Sequence, residues 1–450
     1  MKLKYFLIPF LVLPLIACND DDDDDPIEEM MPQSFKVQVV HASQDSPNVN
    51  VSVNGSETLS DVTYKQASSR LTLDEGTYSL QVDGITPNGN ATVIGPLDVN
   101  FAPDQLYTVL AVNQTASIEP LVINQADFTP ADGELTVQVI HAASNAPTVD
   151  IYLTAPGADI SDTAPTTTLS FKDTLSATDI PAGDYQIRVT PTGDGTVVFD
   201  SGTISLPAGV LLNVAAVANT TTGDSPISLL AITDEGATEI LDVNSPADFR
   251  VFHVSADAPN VDVVVNDDFA NPVVTDLAFP DFTGYLSVPE ATYNAKVVPT
   301  GANTPVVIDA DLALEAGDSY SVLAVNDLAN IEPLVLADTR RTISTEAQLR
   351  IVHGSPAAGA VDIYLVAPGT DVNDVAPTLS NVPFKAETGY LSVAEGDYDV
   401  VVTPTGSKTP AIGPAAINLS NGGIYTIVAR DNAGGGAPLN VILTDDFAIQ

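Results

Sequence analysis

The stretch Val40-His-Ala-Ser-Gln-Asp-Ser-Pro-Asn-Val-Asn-Val-Ser-Val53 joins two apolar strands through a short turn, and its first strand ends in histidine. The chain repeats this unit at Ile140 to Leu153, Phe252 to Val265 and Val352 to Leu365. A repeat outweighs the estimate of about three domains that a length of 450 residues suggests on its own. We therefore predict four copies of one domain.

Histidine occurs once in each copy and nowhere else in the sequence, at His41, His141, His253 and His353. Nine residues after each histidine comes an amide or a carboxylate, at Asn50, Asp150, Asp262 and Asp362. These eight positions are the motif residues at which a recurring site would have to be sought.

A tyrosine signal follows in every copy, in the pattern aliphatic-x-x-Gly-x-Tyr, with Ala291 replacing the glycine in copy three. Such a tyrosine resembles the tyrosine corner of β-sandwiches, whose hydroxyl bonds back to the chain at a strand crossover. The predicted corner residues are Tyr78, Tyr185, Tyr293 and Tyr398. A Pro-x-Gly turn and a last apolar strand complete each copy.

The spacing of the copies shows a second level of order. His41 and His253 are 212 residues apart, and so are His141 and His353. Copies two and four also share an insertion after the second strand. The chain is therefore interpreted as a two-domain unit duplicated whole, with domains at 35–124, 134–232, 248–337 and 348–446.

The composition favours an all-β protein. Val, Thr and Ile alternate with polar residues in short runs, and Gly (29) and Pro (33) punctuate them. No segment has helical periodicity. We predict four tandem antiparallel β-sandwich domains of Ig-like or transthyretin-like type, each closing its own core like a bead on a string.

The amino terminus has the features of a targeting segment. Residues 1–17 begin with Lys2 and Lys4 and continue as an apolar run too short to span a bilayer, which predicts a signal peptide. Leu15-Ile-Ala-Cys18 resembles the lipobox of bacterial lipoproteins and implies an acylated (palmitate-carrying) Cys18. An ordinary secretion signal is the alternative.

Residues 18–34 contain six successive aspartates and predict an extended, disordered acidic tether. The resemblance to lipoproteins implies attachment to the outer membrane of a Gram-negative bacterium, with the domains facing the periplasm or the cell surface. Cys18 is the single cysteine of the sequence, so no disulfide is expected.

The net charge of −44 argues against nucleic acid and anionic lipid head groups as partners, because like charges repel. The lipid anchor is the expected contact with the membrane. A protein or glycan ligand on the loops is the remaining expectation for a partner.

The Val-His-Ala-Ser…Ala-Pro-x-Val-Asp units resemble the family DUF4397, an extracytoplasmic bacterial domain of undefined function. The resemblance covers nearly all of the chain after Ser34 and implies a β-sandwich module rather than an activity. Copy four departs most, since its proline moves forward to Pro356, and copy one carries Asn50 where the others have Asp.

The His/Asp motif can be interpreted as a catalytic dyad, as metal ligands, or as part of the framework. His41 has the same strand parity as Val37 and Val39, which places its ring on the apolar face. Asn50 removes the carboxylate that acid–base chemistry needs. We therefore expect buried, neutral imidazoles bonded to the backbone of the following turn, with no catalytic residue.

No metal motif, phosphate loop or dinucleotide fingerprint occurs in the sequence, so no cofactor is expected. Calcium bound by the loops at Asp159 and Asp162, or Asp371 and Asp374, is an alternative to plain solvated turns.

The function expected from these observations is that of a non-catalytic, lipid-anchored array of modules for binding, adhesion or envelope spacing. The alternative is a carbohydrate-binding or carbohydrate-active protein with a site between paired domains. The scarcity of aromatic residues (6%) and the absence of Trp count against the alternative, because sugars stack on broad aromatic faces.

Overall fold

A computed structural model describes residues 33–445. The predicted signal peptide, Cys18 and nearly all of the predicted tether lie outside the described residues, as does residue 446, the predicted end of domain 4.

The described chain is all-β, with eight or nine strands in each repeat and three short 3-10 turns. Domain 1 contains β1 (Ser34–His41), β2 (Val49–Val53), β3 (Ser56–Val62), β4 (Leu71–Asp74), β5 (Gly76–Thr86), β6 (Gly89–Phe101), β7 (Gln105–Val112) and β8 (Glu119–Ala126). Domain 2 contains β9 (Glu134–His141), β10 (Val149–Thr154), β11 (Thr167–Leu169), β12 (Thr174–Pro181), β13 (Gly183–Pro191), β14 (Phe199–Leu206), β15 (Leu211–Ala218), β16 (Ile227–Thr233) and β17 (Gly236–Ile240).

The second half repeats this order. Domain 3 contains β18 (Ala247–His253), β19 (Val261–Val265), β20 (Val274–Leu277), β21 (Leu286–Val288), β22 (Ala291–Pro299), β23 (Ile308–Leu314), β24 (Ser319–Val325) and β25 (Glu332–Asp338). Domain 4 contains β26 (Ala347–His353), β27 (Val361–Val366), β28 (Leu379–Val382), β29 (Leu391–Val393), β30 (Gly396–Pro404), β31 (Ile412–Leu419), β32 (Ile424–Arg430) and β33 (Asn440–Asp445). The 3-10 turns are Thr115–Ser117, Leu328–Asn330 and Pro356–Ala358.

Each repeat folds into two facing sheets. In domain 1 the first sheet has the order β4-β1-β7-β8 and the second the order β3-β2-β5-β6, and the other domains repeat both orders, with β17 added to the first sheet of domain 2. The histidine strand pairs in parallel with the seventh strand, as β1 does with β7, and all other pairs are antiparallel. The predicted β-sandwich class is therefore confirmed, and the parallel pair is a feature that the sequence did not reveal.

The inner faces of the two sheets form the core of each sandwich. In domain 2, Val137 on the histidine strand packs with Val149, Val189 and Val214 from both sheets, and all four are buried. The alternation of apolar and polar residues produces this core, because successive side chains of a strand point to opposite faces.

The outer face of the first sheet is also apolar, and it joins domains in pairs. Val40 and Leu110 of domain 1 lie in one cluster with Ile140 and Leu230 of domain 2, each 0% exposed. An equivalent cluster joins domains 3 and 4 through Phe252, Val325, Val352 and Val428. Each such side chain contributes about 1.5–3 kcal/mol when buried. Each domain therefore closes its own core, as expected, but paired domains also share a second apolar cluster and are not separate beads.

The two pairs also touch each other at two places. Thr222 of domain 2 donates from its backbone N–H to Gly317 O (3.3 Å) and from its hydroxyl to Pro246 O (2.5 Å). Arg341, between domains 3 and 4, donates to Gln44 O of domain 1 (2.8 Å) and stacks over the ring of Tyr64 at 4.9 Å. These contacts connect the four domains into one assembly.

Across residues 33–445 no helix is long and apolar enough to cross a bilayer.

Candidate functional site

The four motif histidines are buried, and each ring bonds to the turn that follows it. His41 is 1% exposed, and its Nε2 lies 3.0 Å from Pro47 O. The other three Nε2 atoms lie 3.0 Å from Pro147 O, 3.0 Å from Pro259 O and 2.7 Å from Gly359 O. Because a carbonyl only accepts, Nε2 must carry the hydrogen, and this assigns one tautomer to all four rings.

The second ring nitrogen accepts a hydrogen bond in copies one and four. The backbone N–H groups of Ser43 and Ser355 donate to Nδ1 of His41 and His353 at 3.3 Å. Burial lowers the pKa of His41 to about 4 despite the bond to Pro47, and the charge of Arg341 adds to this effect. Burial likewise lowers the pKa of His353. Such rings are neutral at physiological pH and reach no solvent, so the geometry is that of a framework residue.

The acidic motif residue holds two turns in place on the second sheet. Asp362 accepts the N–H of Asn381 through Oδ1 (2.8 Å) and the N–H of Gly406 through Oδ2 (2.9 Å). Asp262 makes the same two bonds to the N–H groups of Asp276 and Gly301 at 2.8 and 2.9 Å.

The copies in the first half differ in this detail. Asn50 accepts the N–H of Asp61 at 2.9 Å, and Asp150 accepts the hydroxyls of Thr168 (2.5 Å) and Thr192 (3.3 Å). In copies one, three and four the motif side chain accepts from a residue with positive φ, such as Asn381 (φ 53°), where the backbone is strained for non-glycine residues. The side chain therefore supports the third strand of the domain at the point where its pairing register shifts.

The histidine and the acidic residue of one copy belong to different sheets. His353 ends β26 in the first sheet and bonds to its own turn, whereas Asp362 lies on β27 in the second sheet. The bonds that each side chain makes are to separate backbone groups. The structure therefore does not bring the two together as a dyad.

The four motif tyrosines each donate to the carbonyl four residues earlier. The acceptors are Asp74 O (2.8 Å), Pro181 O (2.7 Å), Pro289 O (2.8 Å) and Ala394 O (3.0 Å) for Tyr78, Tyr185, Tyr293 and Tyr398 respectively. This is a tyrosine-corner arrangement, and its effect is to hold the fourth strand against the start of the fifth.

The aspartates of the inserted loops form local turns. Asp159 Oδ1 accepts the N–H of Ser161 and Asp371 Oδ1 accepts that of Asn373, both at 2.9 Å, and these bonds lower the pKa of both carboxyls. Within residues 33–445 no group of three or more His, Cys, Asp or Glu side chains is placed to hold a metal ion.

A polar cleft of about 940 Å³ lies where domain 2 meets domain 3. It is of the size of known ligand sites. One wall carries Arg188 of β13, which is 9% exposed and donates from Nη2 to Thr154 Oγ1 at 2.9 Å. The Nε of Arg188 is buried and has no partner among the described atoms. Arg188 therefore contributes a guanidinium to the wall of the cleft.

The facing wall is built by the linker and by domain 3. Arg340 Nη1 pairs with Asp248 Oδ2 at 2.6 Å, and Ser287 donates its hydroxyl to the other oxygen of the same carboxylate at 2.6 Å. Exposed Val197 and the linker residue Pro246 add apolar surface. The cleft thus offers charged donors, carboxylate acceptors and small apolar patches together.

None of the recurrent His, Asn/Asp and Tyr motif residues lines this cleft, so the repeated motifs do not predict it. Arg188 occupies a strand position where copy four has Val401, as the pairing with Tyr152 and Tyr364 shows. A lone arginine at one copy of a repeat is a weak signal in sequence, and the facing residues come from a different domain. Only the packing of domain 2 on domain 3 brings them together.

The fold and the motif geometry define a class, that of tandem β-sandwich proteins whose recurrent His, Asp and Tyr residues serve the framework. The chain belongs to the DUF4397 family (domain of unknown function), whose profile matches residues 35–152, 247–364 and 367–449. The first two matched segments begin and end 212 residues apart, in agreement with the duplicated pair. No curated relative matches the sequence.

Comparison with solved structures finds distant resemblances. The Bacillus anthracis TIE protein is 14% identical over 88% of this chain and 68% of its own, with a TM-score of 0.15. A multi-modular glycogen-degrading pneumococcal virulence factor, SpuA, is 12% identical over 62% and 38% (TM-score 0.15). The pilus adhesin SpaC from Lactobacillus rhamnosus GG is 14% identical over 70% and 41% (TM-score 0.14). Scores this low carry no argument about function.

Proposed function

We propose that this protein is a non-catalytic, lipid-anchored component of the bacterial cell envelope, whose sandwiches form a stiff body that holds a binding surface away from the membrane. The observation that carries this proposal is the packing of the domains, with a shared apolar core inside each pair and direct contacts between the pairs. An assembly held in this way acts as a spacer and presents its surfaces in fixed relative positions.

The sequence supports the anchoring part of the proposal. Cys18 follows a short apolar segment, and the acidic run after it would keep the folded part at a distance of up to roughly 50 Å. We propose that the anchor attaches the protein to the outer membrane of a Gram-negative bacterium.

Anchoring is tested by metabolic labelling with palmitate and fractionation of cells that express the wild type or Cys18→Ser. We expect label and membrane association in the wild type, and loss of both in the variant. Protease shaving of intact cells then separates the two orientations, because released fragments of residues 33–445 place the domains outside. A labelled protein that fractionates with the soluble periplasm would contradict the proposal.

A second candidate function is carbohydrate binding, and the cleft between domains 2 and 3 is the observation that favours it. Neutral sugars need both donors and acceptors, and the cleft supplies Arg188 together with carboxylates such as Asp248. The sequence suggested a site inside a pair, but the pair interfaces are filled by buried side chains, and the cleft lies between the pairs instead.

This candidate is tested by titrating the full chain with neutral and acidic oligosaccharides in a calorimeter. Saturable binding that Arg188→Ala abolishes and Lys36→Ala leaves unchanged would support it, since Lys36 is an exposed cation in domain 1 and does not line the cleft. Binding that survives Arg188→Ala, or the absence of binding throughout, would exclude this cleft as a sugar site.

A further inference from the structure

The two pair interfaces contain a polar centre at equivalent positions. Gln38 pairs with Thr108 across β1 and β7 as Arg250 pairs with Ser321 across β18 and β24. Likewise Gln138 pairs with Asn213 as Arg350 pairs with Thr426. Gln125 of β8 corresponds to Asp338 of β25. The duplicated chain therefore carries two versions of one interface, and they can be compared directly.

The centre between domains 3 and 4 is charged. Arg250 and Arg350 are 2% and 1% exposed, and both approach Asp338, whose side chain is 0% exposed. Arg350 Nη2 lies 2.6 Å from Asp338 Oδ1, and Arg250 Nε lies 3.5 Å from Oδ2. Ser321 and Tyr285 donate their hydroxyls to the same carboxylate. One buried acid thus lies between a guanidinium from its own domain and one from the partner domain.

Each of these guanidinium groups also stacks on a tyrosine. Arg250 lies 4.9 Å from the ring centre of Tyr285, and Arg350 lies 4.7 Å from that of Tyr390. The corresponding residues of domains 1 and 2 are Arg70 and Ala177. The buried arginines and the tyrosines on which they stack therefore occur together in the second half. In the first half, glutamine stands at both arginine positions, and Arg70 and Ala177 stand at the two tyrosine positions.

The centre between domains 1 and 2 has glutamines where the other centre has two arginines and an aspartate. Gln38 Nε2 donates to Thr233 O of domain 2 at 2.7 Å, and Asn213 Nδ2 donates to Thr108 Oγ1 at 2.8 Å across the interface. Gln125 and Gln138 are also buried. Arg70, which stands where domain 3 has Tyr285, also donates from Nη2 to Leu211 O of domain 2 at 2.8 Å. This centre therefore has amides in place of Arg250, Arg350 and Asp338, and among the described residues it has no buried carboxylate shared between guanidinium groups.

Pairing a domain from one half of the chain with a domain from the other half would be energetically unfavourable. Domain 4 brings Arg350 to its centre and receives the neutralising carboxylate from domain 3. A pairing of domain 4 with domain 1 would place Arg350 opposite Gln125 and leave the guanidinium buried without an acid. Removing one partner of a buried ion pair is strongly destabilising, because the remaining charge keeps its desolvation penalty.

We propose that the polar centres are matched sets that select the partner domain, so that four otherwise similar apolar faces pair as domain 1 with domain 2 and domain 3 with domain 4. The apolar rim supplies the attraction between faces, and the centre discriminates between them. This inference does not depend on what the protein binds.

The test compares two sets of substitutions in the full chain. The half exchange, Gln138→Arg with Arg350→Gln, places a buried guanidinium in the 1–2 interface without an acid. The full exchange adds Gln38→Arg, Gln125→Asp, Arg250→Gln and Asp338→Gln, and so moves the two arginines and the acid to the 1–2 pair and the three glutamines to the 3–4 pair. The two variants share the first exchange, and only the full exchange brings an acid to the arginines in the 1–2 interface.

Thermal unfolding followed by calorimetry gives the readout. We expect the half exchange to lower the midpoint of the 1–2 unit by roughly 10 °C and to reduce the yield of monomer on refolding from urea. The full exchange should restore most of the midpoint and the yield. The proposal would be overturned if the full exchange had as low an unfolding midpoint as the half exchange. It would also be overturned if the half exchange had the same midpoint as the wild type.

Discussion

Acidification should destabilise domain 1 through His41, because this ring is neutral in the folded protein and charged in the unfolded one. Burial lowers the folded pKa from 6.5 to about 4, and the unfolded chain therefore binds the proton more readily between these values. The stabilisation that the neutral ring gives to the folded state is fully present above pH 6.5 and is lost as the pH falls toward 4.

The magnitude follows from the two pKa values. Between pH 7.5 and pH 4.5 the difference in proton binding amounts to about 2.5 kcal/mol of unfolding free energy. For a pair of about 200 residues this corresponds to a fall in midpoint of roughly 5–10 °C. The positive charge of Arg341 and the edge of the Tyr64 ring, at 5.9 Å, are the neighbours that face the imidazole.

The assay compares the wild type with His41→Gln by calorimetry at both pH values. The amide of glutamine can donate to Pro47 O but does not titrate. The variant should therefore have a lower midpoint than the wild type at pH 7.5, and its midpoint should fall less between pH 7.5 and pH 4.5. Carboxylates titrate alike in both proteins and cancel from the difference. If the wild type and the variant have the same pH slope, the ring is not held neutral by burial and the reasoning fails.

Four other substitutions test the framework roles. Tyr293→Phe removes one corner hydrogen bond and should lower the unfolding free energy by about 1 kcal/mol in urea titrations; no change would argue against a corner role. Asp362→Ala leaves two backbone N–H groups without an acceptor and should cost about 2–3 kcal/mol, against about 1 kcal/mol for Asn50→Ala, which frees one; equal costs would contradict this assignment. Arg341→Ala removes a guanidinium stacked on Tyr64, and hydrogen exchange should quicken in the turn after His41 while domain 2 stays protected.

Much of the framework was predictable because it depends on local order along the chain. Strand parity placed His41 on the apolar face, and the Gly-x-Tyr spacing placed Tyr78 four residues beyond the carbonyl that it meets. Strand parity identifies which residues share a face, but it does not show what covers the outer face. Val40, on the other face, gave no reason to expect a partner domain, because an apolar residue on a strand looks alike whether it covers a core or an interface.

The polar sites were not predictable for a related reason. The residues that face Arg188 across the cleft come from the linker and from domain 3, and Asp338, which pairs with Arg350, also belongs to another domain. Spacing within a repeat contains no information about such neighbours. Differences between copies, such as arginine at 250 and 350 against glutamine at 38 and 138, became meaningful only when the register of the sheets made these positions equivalent.

The sequence alone determined that this protein is built of repeated strand-rich units, because alternation, turn residues and a 212-residue period act locally and need no knowledge of the fold. The tertiary structure decided how the units join, where the polar cleft forms and which buried charges meet. All three features depend on sheet faces that pack against another domain. Whether the outer face of a sheet is buried is decided only when the whole chain has folded.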